Sequence, residues 1–199
     1  MLIAKSGRIE YPTFIDECAV YIGKLRDLYN YDMNEQAQRF KRGGQSEYVN
    51  ILGVQGELIF SYFLHSKGVQ HKMNRLLSNK PVASCDIVMN GKRVDVKTIR
   101  TDSNNLLVNK EAHHKNKGVD TYVFIKILDG HRAIFWIFPH ADISQWKVMN
   151  PGYSEAYYLP VETAGIPEED QSGDPFQDVL DLNQRRAQEA KRLREGESS

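Results

Sequence analysis

Two acids and a lysine, gathered on either side of a tight turn, are the residues of this chain best suited to chemistry. They lie in V-A-S-C-D-I-V-M-N-G-K-R-V-D-V-K-T-I-R, residues 82–100, where two runs rich in Val and Ile flank Asn90-Gly91. Asn-Gly is the strongest short hairpin signal, because both central positions of a type I′ turn need φ > 0. A two-residue loop sets Met89 opposite Lys92, Ile87 opposite Val94 and Asp86 opposite Asp95. Alternation then gives Ser84, Asp86 and Val88 one face with Arg93, Asp95 and Lys97. Carboxylates opposed in this way repel, since facing Cβ atoms are only about 4.5–5.5 Å apart. A divalent cation between them removes the conflict, and hard oxygen donors suit Mg²⁺ or Mn²⁺. Lys97, two residues beyond Asp95, can reach an anion held on that metal. Such a set is a minimal kit for phosphodiester hydrolysis: the metal polarises the phosphate and lowers the pKa of a water, and the lysine positions that water or offsets charge.

Positioning this hairpin requires helices and further strands. Ser46 to Ser66 reads as a largely buried helix, with Tyr48, Ile51, Leu52, Val54, Leu58, Ile59, Tyr62 and Phe63 apolar. Gly53 and Gly56 each cost about 1 kcal/mol against Ala inside a helix, which implies a close backbone approach to the sheet. Glu57 falls at the margin of the buried surface, where an acid needs a partner. Upstream, residues 13–30 form a helix capped by Thr13, with Phe14, Cys18, Tyr21, Ile22, Leu25 and Leu28 as its apolar face. Between the two, Arg39, Lys41 and Arg42 stand beside Gly43-Gly44, in a loop suited to substrate contact.

Gly68 ends the second helix, and residues 69–81 connect it to the hairpin with a short strand at their start. Beyond the hairpin, Leu106-Leu107-Val108 is a third strand, and residues 109–118 a short polar helix or loop with Lys110, His113, His114, Lys115 and Lys117. Adjacent histidines make a poor metal pair on a helix, so phosphate contact or a solvated face is the reading here. Thr121 to Leu128 is a central strand covered on both faces, turning at Asp129-Gly130 into a strand that Pro139 closes. Residues 141–148 suggest a short helix with Trp146 packed down, followed by an irregular stretch with Tyr153, Tyr157 and Tyr158.

The order of these elements and the four residues Glu57, Asp86, Asp95 and Lys97 resemble the PD-(D/E)xK nuclease superfamily, in its resolvase-like and restriction-like members. Asp86 and Asp95-Val96-Lys97 match the acid and (D/E)-x-K, and Gly53-Val54-Gln55-Gly56-Glu57 is similar to the G-x-x-G-E helix; Cys85 replaces the motif's proline. The resemblance covers about residues 45–139. It implies an α/β fold with a restriction-endonuclease-like αβββαβ core, a mixed sheet flanked by helices, plus an extra N-terminal helix. It implies that Asp86, Asp95 and the Val96 carbonyl hold Mg²⁺, with Mn²⁺ as a substitute, that Glu57 acts through water or a second ion, and that Lys97 positions the attacking water. DNA is the expected substrate, with Arg39, Lys41, Arg42, Arg100, Lys110, His114, Lys115 and Lys117 as phosphate contacts. An RNA-directed nuclease, or a non-cleaving nucleic-acid-binding or assembly protein on the same fold, is the alternative.

Charge agrees with a polyanion partner in its distribution rather than its total. The 199 residues balance 26 basic against 26 acidic side chains, yet residues 39–117 hold 14 Lys and Arg against 6 Asp and Glu. Residues 1–160 form the expected nuclease-like domain, and 161–199 an acidic linker with a charged C-terminal helix, a surface for a protein partner or a second copy. Two cysteines far apart, no apolar run near 18 residues and no signal-like N-terminus point to the cytoplasm.

Overall fold

In chain order the computed structural model, which describes residues 5–33, 46–74, 85–99, 101–115, 118–152 and 154–166, begins with β1 (Lys5–Glu10), α1 (Phe14–Met33) and α2 (Ser46–Ser66). Next come β2 (His71–Met73), β3 (Ile87–Met89), β4 (Lys92–Ile99), β5 (Asn105–Asn109), α3 (Lys110–Lys115), β6 (Thr121–Leu128) and β7 (Arg132–Pro139). The described part ends with α4 (His140–Ile143), β8 (Lys147–Met149), β9 (Ala156–Pro160) and α5 (Val161–Ala164). The architecture is mixed α/β: a six-stranded sheet ordered β1-β7-β6-β4-β3-β2, and a three-stranded sheet ordered β5-β9-β8. β4 and β6 run parallel, and the other described pairings are antiparallel.

Two cores lie on the two faces of the larger sheet. Ile59, Phe60, Phe63 and Leu64 of α2 pack with Ile87, Val94, Val96, Val123, Ile125 and Phe135 on one face. On the other, Ile99, Phe124, Trp136 and Phe138 meet Leu106, Val108, Tyr157 and Val161 from the small sheet and α5. β6 is thus buried on both sides, which is why its sequence is apolar at nearly every position. Trp146 packs down against Phe124 and Phe138, as its position suggested.

The hairpin turn has the expected chemistry, with φ of 50° at Asn90 and 77° at Gly91. Met89 faces Lys92 and Ile87 faces Val94. Asp86 departs from the expected ladder: its N–H donates to the Val94 carbonyl at 2.9 Å, so the pairing shifts there and Asp86 stands on a bend ahead of β3. Asn74, just after β2, clamps this bend by donating its N–H to the Asp86 carbonyl (2.8 Å) and its side-chain amide to the Cys85 carbonyl.

Several expectations change. α1 turns Ile15, Ala19 and Gly23 inward and leaves Phe14, Cys18, Tyr21 and Leu28 exposed, because Gly23 lets α2 approach so closely that a Cβ there would lie 2.5 Å from Ile51 Cα. β5 leaves the central sheet to pair with β9. The second hairpin has three loop residues, since Leu128 pairs with Arg132, and its positive φ values fall at Gly130 and His131. The helix read over 141–148 shrinks to α4 and gives way to β8, while Tyr157 and Tyr158 belong to β9. Residues 167–199, including the expected C-terminal helix, lie outside the described residues. Among the described residues no helix is long and apolar enough to cross a membrane.

Candidate active site

The four residues singled out by spacing come from three elements that the fold gathers at one end of the β3–β4 hairpin. Asp95 and Lys97 lie on β4, on the face opposite Val94 and Val96, and Lys97 Nζ sits 2.6 Å from Asp95 Oδ1. Asp86 turns its carboxylate onto β4, where Oδ2 accepts the Val96 N–H at 2.7 Å. Val96 thus contributes its amide to the acid, while its side chain belongs to the α2-side core. Glu57 arrives from α2 and is 7 % exposed.

α2 can deliver Glu57 because Gly56 rests on β4. A Cβ at Gly56 would overlap Thr98 Oγ1 and come within 3.1 Å of Thr98 Cβ and 3.2 Å of Thr98 Cγ2. The helix–sheet approach inferred from the two glycines is therefore made at Gly56. At Gly53 a Cβ would meet only Arg26 Nη1, at an ordinary contact distance of 3.8 Å, so no close approach is made there.

Arg26 is the member of this charged cluster that the sequence pattern did not bring forward. Its guanidinium binds Glu57 through two parallel bonds, Nη1 to Oε1 at 2.8 Å and Nη2 to Oε2 at 2.9 Å. A fork of this kind holds a carboxylate in position as well as in charge. The signal lay in α1: Ile15, Ala19, Ile22 and Arg26 recur at helical spacing on the inward side, and a lone arginine there requires a buried acid.

The electrostatics follow from crowding acids in a dry place. Burial, then the carboxylates of Glu57 and Asp95, push the Asp86 pKa from 3.8 to about 7, although Lys97 and the Val96 N–H work against the rise. For Lys97, burial works to lower the pKa, and Asp95, backed by Asp86 and Glu57, more than reverses it. Its side chain is 40 % exposed, yet its ammonium faces the acids and stays charged near neutrality. Lys97 is therefore suited to offsetting negative charge, whereas Asp86 is suited to exchanging a proton near pH 7. Among the described residues, no three acid, histidine or cysteine side chains are drawn tightly enough to enclose a metal ion.

A second polar group lies behind β4. Tyr122 of β6 pairs in register with Asp95, and burial followed by the Asp95 charge raises the Tyr122 pKa. His113 Nδ1 stands 3.3 Å from the Tyr122 hydroxyl and Nε2 3.1 Å from Ser144 Oγ, and the ring stacks on His140 at 4.0 Å. Burial first, then His140 and His114, lower the His113 pKa to about 4. His113 is thus a neutral core residue at pH 7 rather than a phosphate contact.

Of the expected nucleic-acid contacts, Lys110, His114 and Lys115 share α3. Lys110 pairs with Glu155 at 2.8 Å, Lys115 with Glu111, and His114 Nε2 lies 3.1 Å from the Tyr157 hydroxyl. Arg39, Lys41, Arg42, Arg100 and Lys117 lie outside the described residues. No protein-family model matches this chain, and no curated protein matches its sequence.

Proposed function

We propose that this chain is a metal-dependent endonuclease that hydrolyses DNA, on a variant of the restriction-endonuclease-like αβββαβ core. The observation that carries the reading is the convergence of Asp86, Asp95, Glu57 and Lys97, with the Asp86 pKa raised to about 7 by burial and then by its acid neighbours. α2 with its glutamate, the acid-bearing hairpin, α3 and β6 keep the order implied by the resemblance to PD-(D/E)xK nucleases, and β5 is the departure from it.

The donors suit a hard divalent cation, because crowded carboxylates repel until a cation joins them. Mg²⁺ is commonly held by one or two carboxylates with several waters retained, so Asp86 and Asp95 suffice without a closed cage. Bound there, Mg²⁺ or Mn²⁺ supplies polarisation of the phosphate and a lowered pKa for an attacking water. The Val96 N–H orients the Asp86 carboxylate, whose raised pKa without the cation means that a bound cation would displace a proton there near neutral pH. Lys97 offsets the charge that grows on the phosphate. Glu57 contributes through water or a second ion once Arg26 releases it. Lys110, Lys115 and His114 receive the backbone phosphates; solvent-screened ion pairs such as Lys110–Glu155 are weak and exchange readily.

The test is nicking of supercoiled plasmid, with and without Mg²⁺ or Mn²⁺, by wild type, Asp95→Ala and Lys97→Ala, with labelled RNA run alongside. Metal-dependent nicking lost in both variants supports the reading. A non-cleaving nucleic-acid-binding protein has one observation in its favour: Arg26 and Lys97 already neutralise two of the three acids. Salt-sensitive DNA binding without cleavage, unaffected by either substitution, selects that reading, and cleavage confined to RNA replaces the substrate.

A further inference from the structure

α1 carries two apolar faces, and α2 covers one of them. Ile15 and Ala19 are buried toward α2, while Phe14, Cys18, Tyr21, Leu25 and Leu28 follow one another at intervals of four, three, four and three on the outer side. Phe14 is 56 % exposed, Tyr21 68 % and Leu28 63 %, and the neighbouring Val20 is exposed as well. This is the a/d spacing of a coiled-coil seam, held for four turns on a helix that already has its intramolecular partner. An ordered apolar stripe of this kind on an outer surface marks an interface.

We infer that α1 pairs antiparallel with α1 of a second copy of this chain, about a two-fold axis near Tyr21. Two features select a second copy. A two-fold contact must be self-complementary, and the seam is symmetric about Tyr21, with Phe14 and Cys18 on one side balanced by Leu25 and Leu28 on the other. Glu17 and Lys24 flank the seam on the same side, one heptad apart. In an antiparallel pair each Glu17 meets Lys24 of the other copy, twice by symmetry. A parallel pair sets Glu17 against the Ile22 position instead and makes no such match. Lys24 is only loosely engaged within its own chain, 3.9 Å from Glu47 with both side chains about half exposed, so it can turn to a new partner. The same arrangement lays the Leu25–Leu28 end of one copy over an apolar groove of about 290 Å³ that Phe14 and Cys18 of the other share with Leu58, Tyr62 and His65. The pairing is independent of any catalytic role for the acids.

Sedimentation velocity on the full chain, at tens of micromolar, tests this. Wild type is expected at twice its 22.9 kDa mass. Tyr21→Glu is expected to be monomeric with an unchanged circular dichroism spectrum, since the residue is exposed in the single chain, and its melting temperature should no longer depend on protein concentration. Glu17→Lys and Lys24→Glu should each weaken dimerisation roughly tenfold, because two symmetry-related pairs turn repulsive together. Glu17→Lys combined with Lys24→Glu should restore it, a rescue that general loss of folding cannot mimic. A monomeric wild type overturns the proposal, whatever else covers the seam. So does a dimer indifferent to Tyr21→Glu, and charge swaps without effect or without rescue overturn the antiparallel pairing.

Discussion

Replacing Gly56 with alanine sets two effects of known size against each other, and the structure decides between them. Inside a helix the change is worth about 1 kcal/mol in favour of alanine. Against that, the new Cβ would overlap Thr98 Oγ1 and press within 3.1 Å of Thr98 Cβ and 3.2 Å of Thr98 Cγ2. Rotating Thr98 brings no relief, because a β-branched side chain exchanges its hydroxyl for its methyl on that side. Overpacking of this kind costs about 1–3 kcal/mol, and contact with all three side-chain atoms puts it at the upper end. The expected net result is a loss of about 2 kcal/mol, read as a lowered urea midpoint at unchanged slope. Thr98→Ala alone should be close to neutral, since the hydroxyl it removes is buried without a hydrogen-bond partner. In the Gly56→Ala background it should return at least half of the loss, a coupling that separates contact from propensity. A stabilised Gly56→Ala protein, or a loss that Thr98→Ala leaves untouched, would refute the claim that α2 seats Glu57 by resting on β4.

Two further outcomes follow from the charges. With a native Asp86 pKa of about 7 against 3.8, the folded state binds the extra proton across that interval, so the Asp86 contribution to stability is full below pH 3.8 and declines as pH rises through 7. The difference in urea stability between wild type and Asp86→Asn should therefore fall with rising pH over this window, and a difference that rises would reverse the assignment. Arg26→Ala leaves Glu57 buried without its fork; such losses reach about 3–5 kcal/mol, and the 21 % exposure of the Arg26 side chain lowers the expectation to about 2–3 kcal/mol. Thermal or urea melts check it, with Arg26→Lys recovering only part, because lysine cannot make both bonds.

What could be read from the sequence depended on how local the determinants were. Asn90-Gly91 sets a turn by backbone sterics alone, and the pairing of Ile87 with Val94 followed from it. The bounds of α2 and β6 were legible because apolar periodicity and Gly68 are also local signals. Asp86 escaped the ladder because Asn74, twelve residues earlier, clamps its carbonyl, and a distant clamp leaves no mark in a strand pattern. The inward face of α1 was misjudged for a related reason. Ala19 and Gly23 are smaller than Phe14, Tyr21 and Leu28 on the outer side, and close helix packing favours small side chains that hydropathy ranks low. β5 offered Leu-Leu-Val, which suits any sheet, and its pairing with β9 some fifty residues later is a tertiary choice. Glu57, Asp86, Asp95 and Lys97, picked out by residue type and spacing, act on one another's charge in the fold, whereas Arg26 carries no such mark in the sequence and is tied to them only through its fork on Glu57.

Isothermal titration with Mn²⁺, on wild type and on Asp86→Asn and Asp95→Asn, tests most directly whether these acids form a divalent-cation site. One site per chain is expected in wild type, weakened roughly tenfold or more in each variant, with protons released on binding near pH 7 as the cation displaces the proton shared by the acids. Binding of equal strength in all three proteins, or no binding to wild type, would contradict this and leave the acids as an ion-pair network with Arg26 and Lys97.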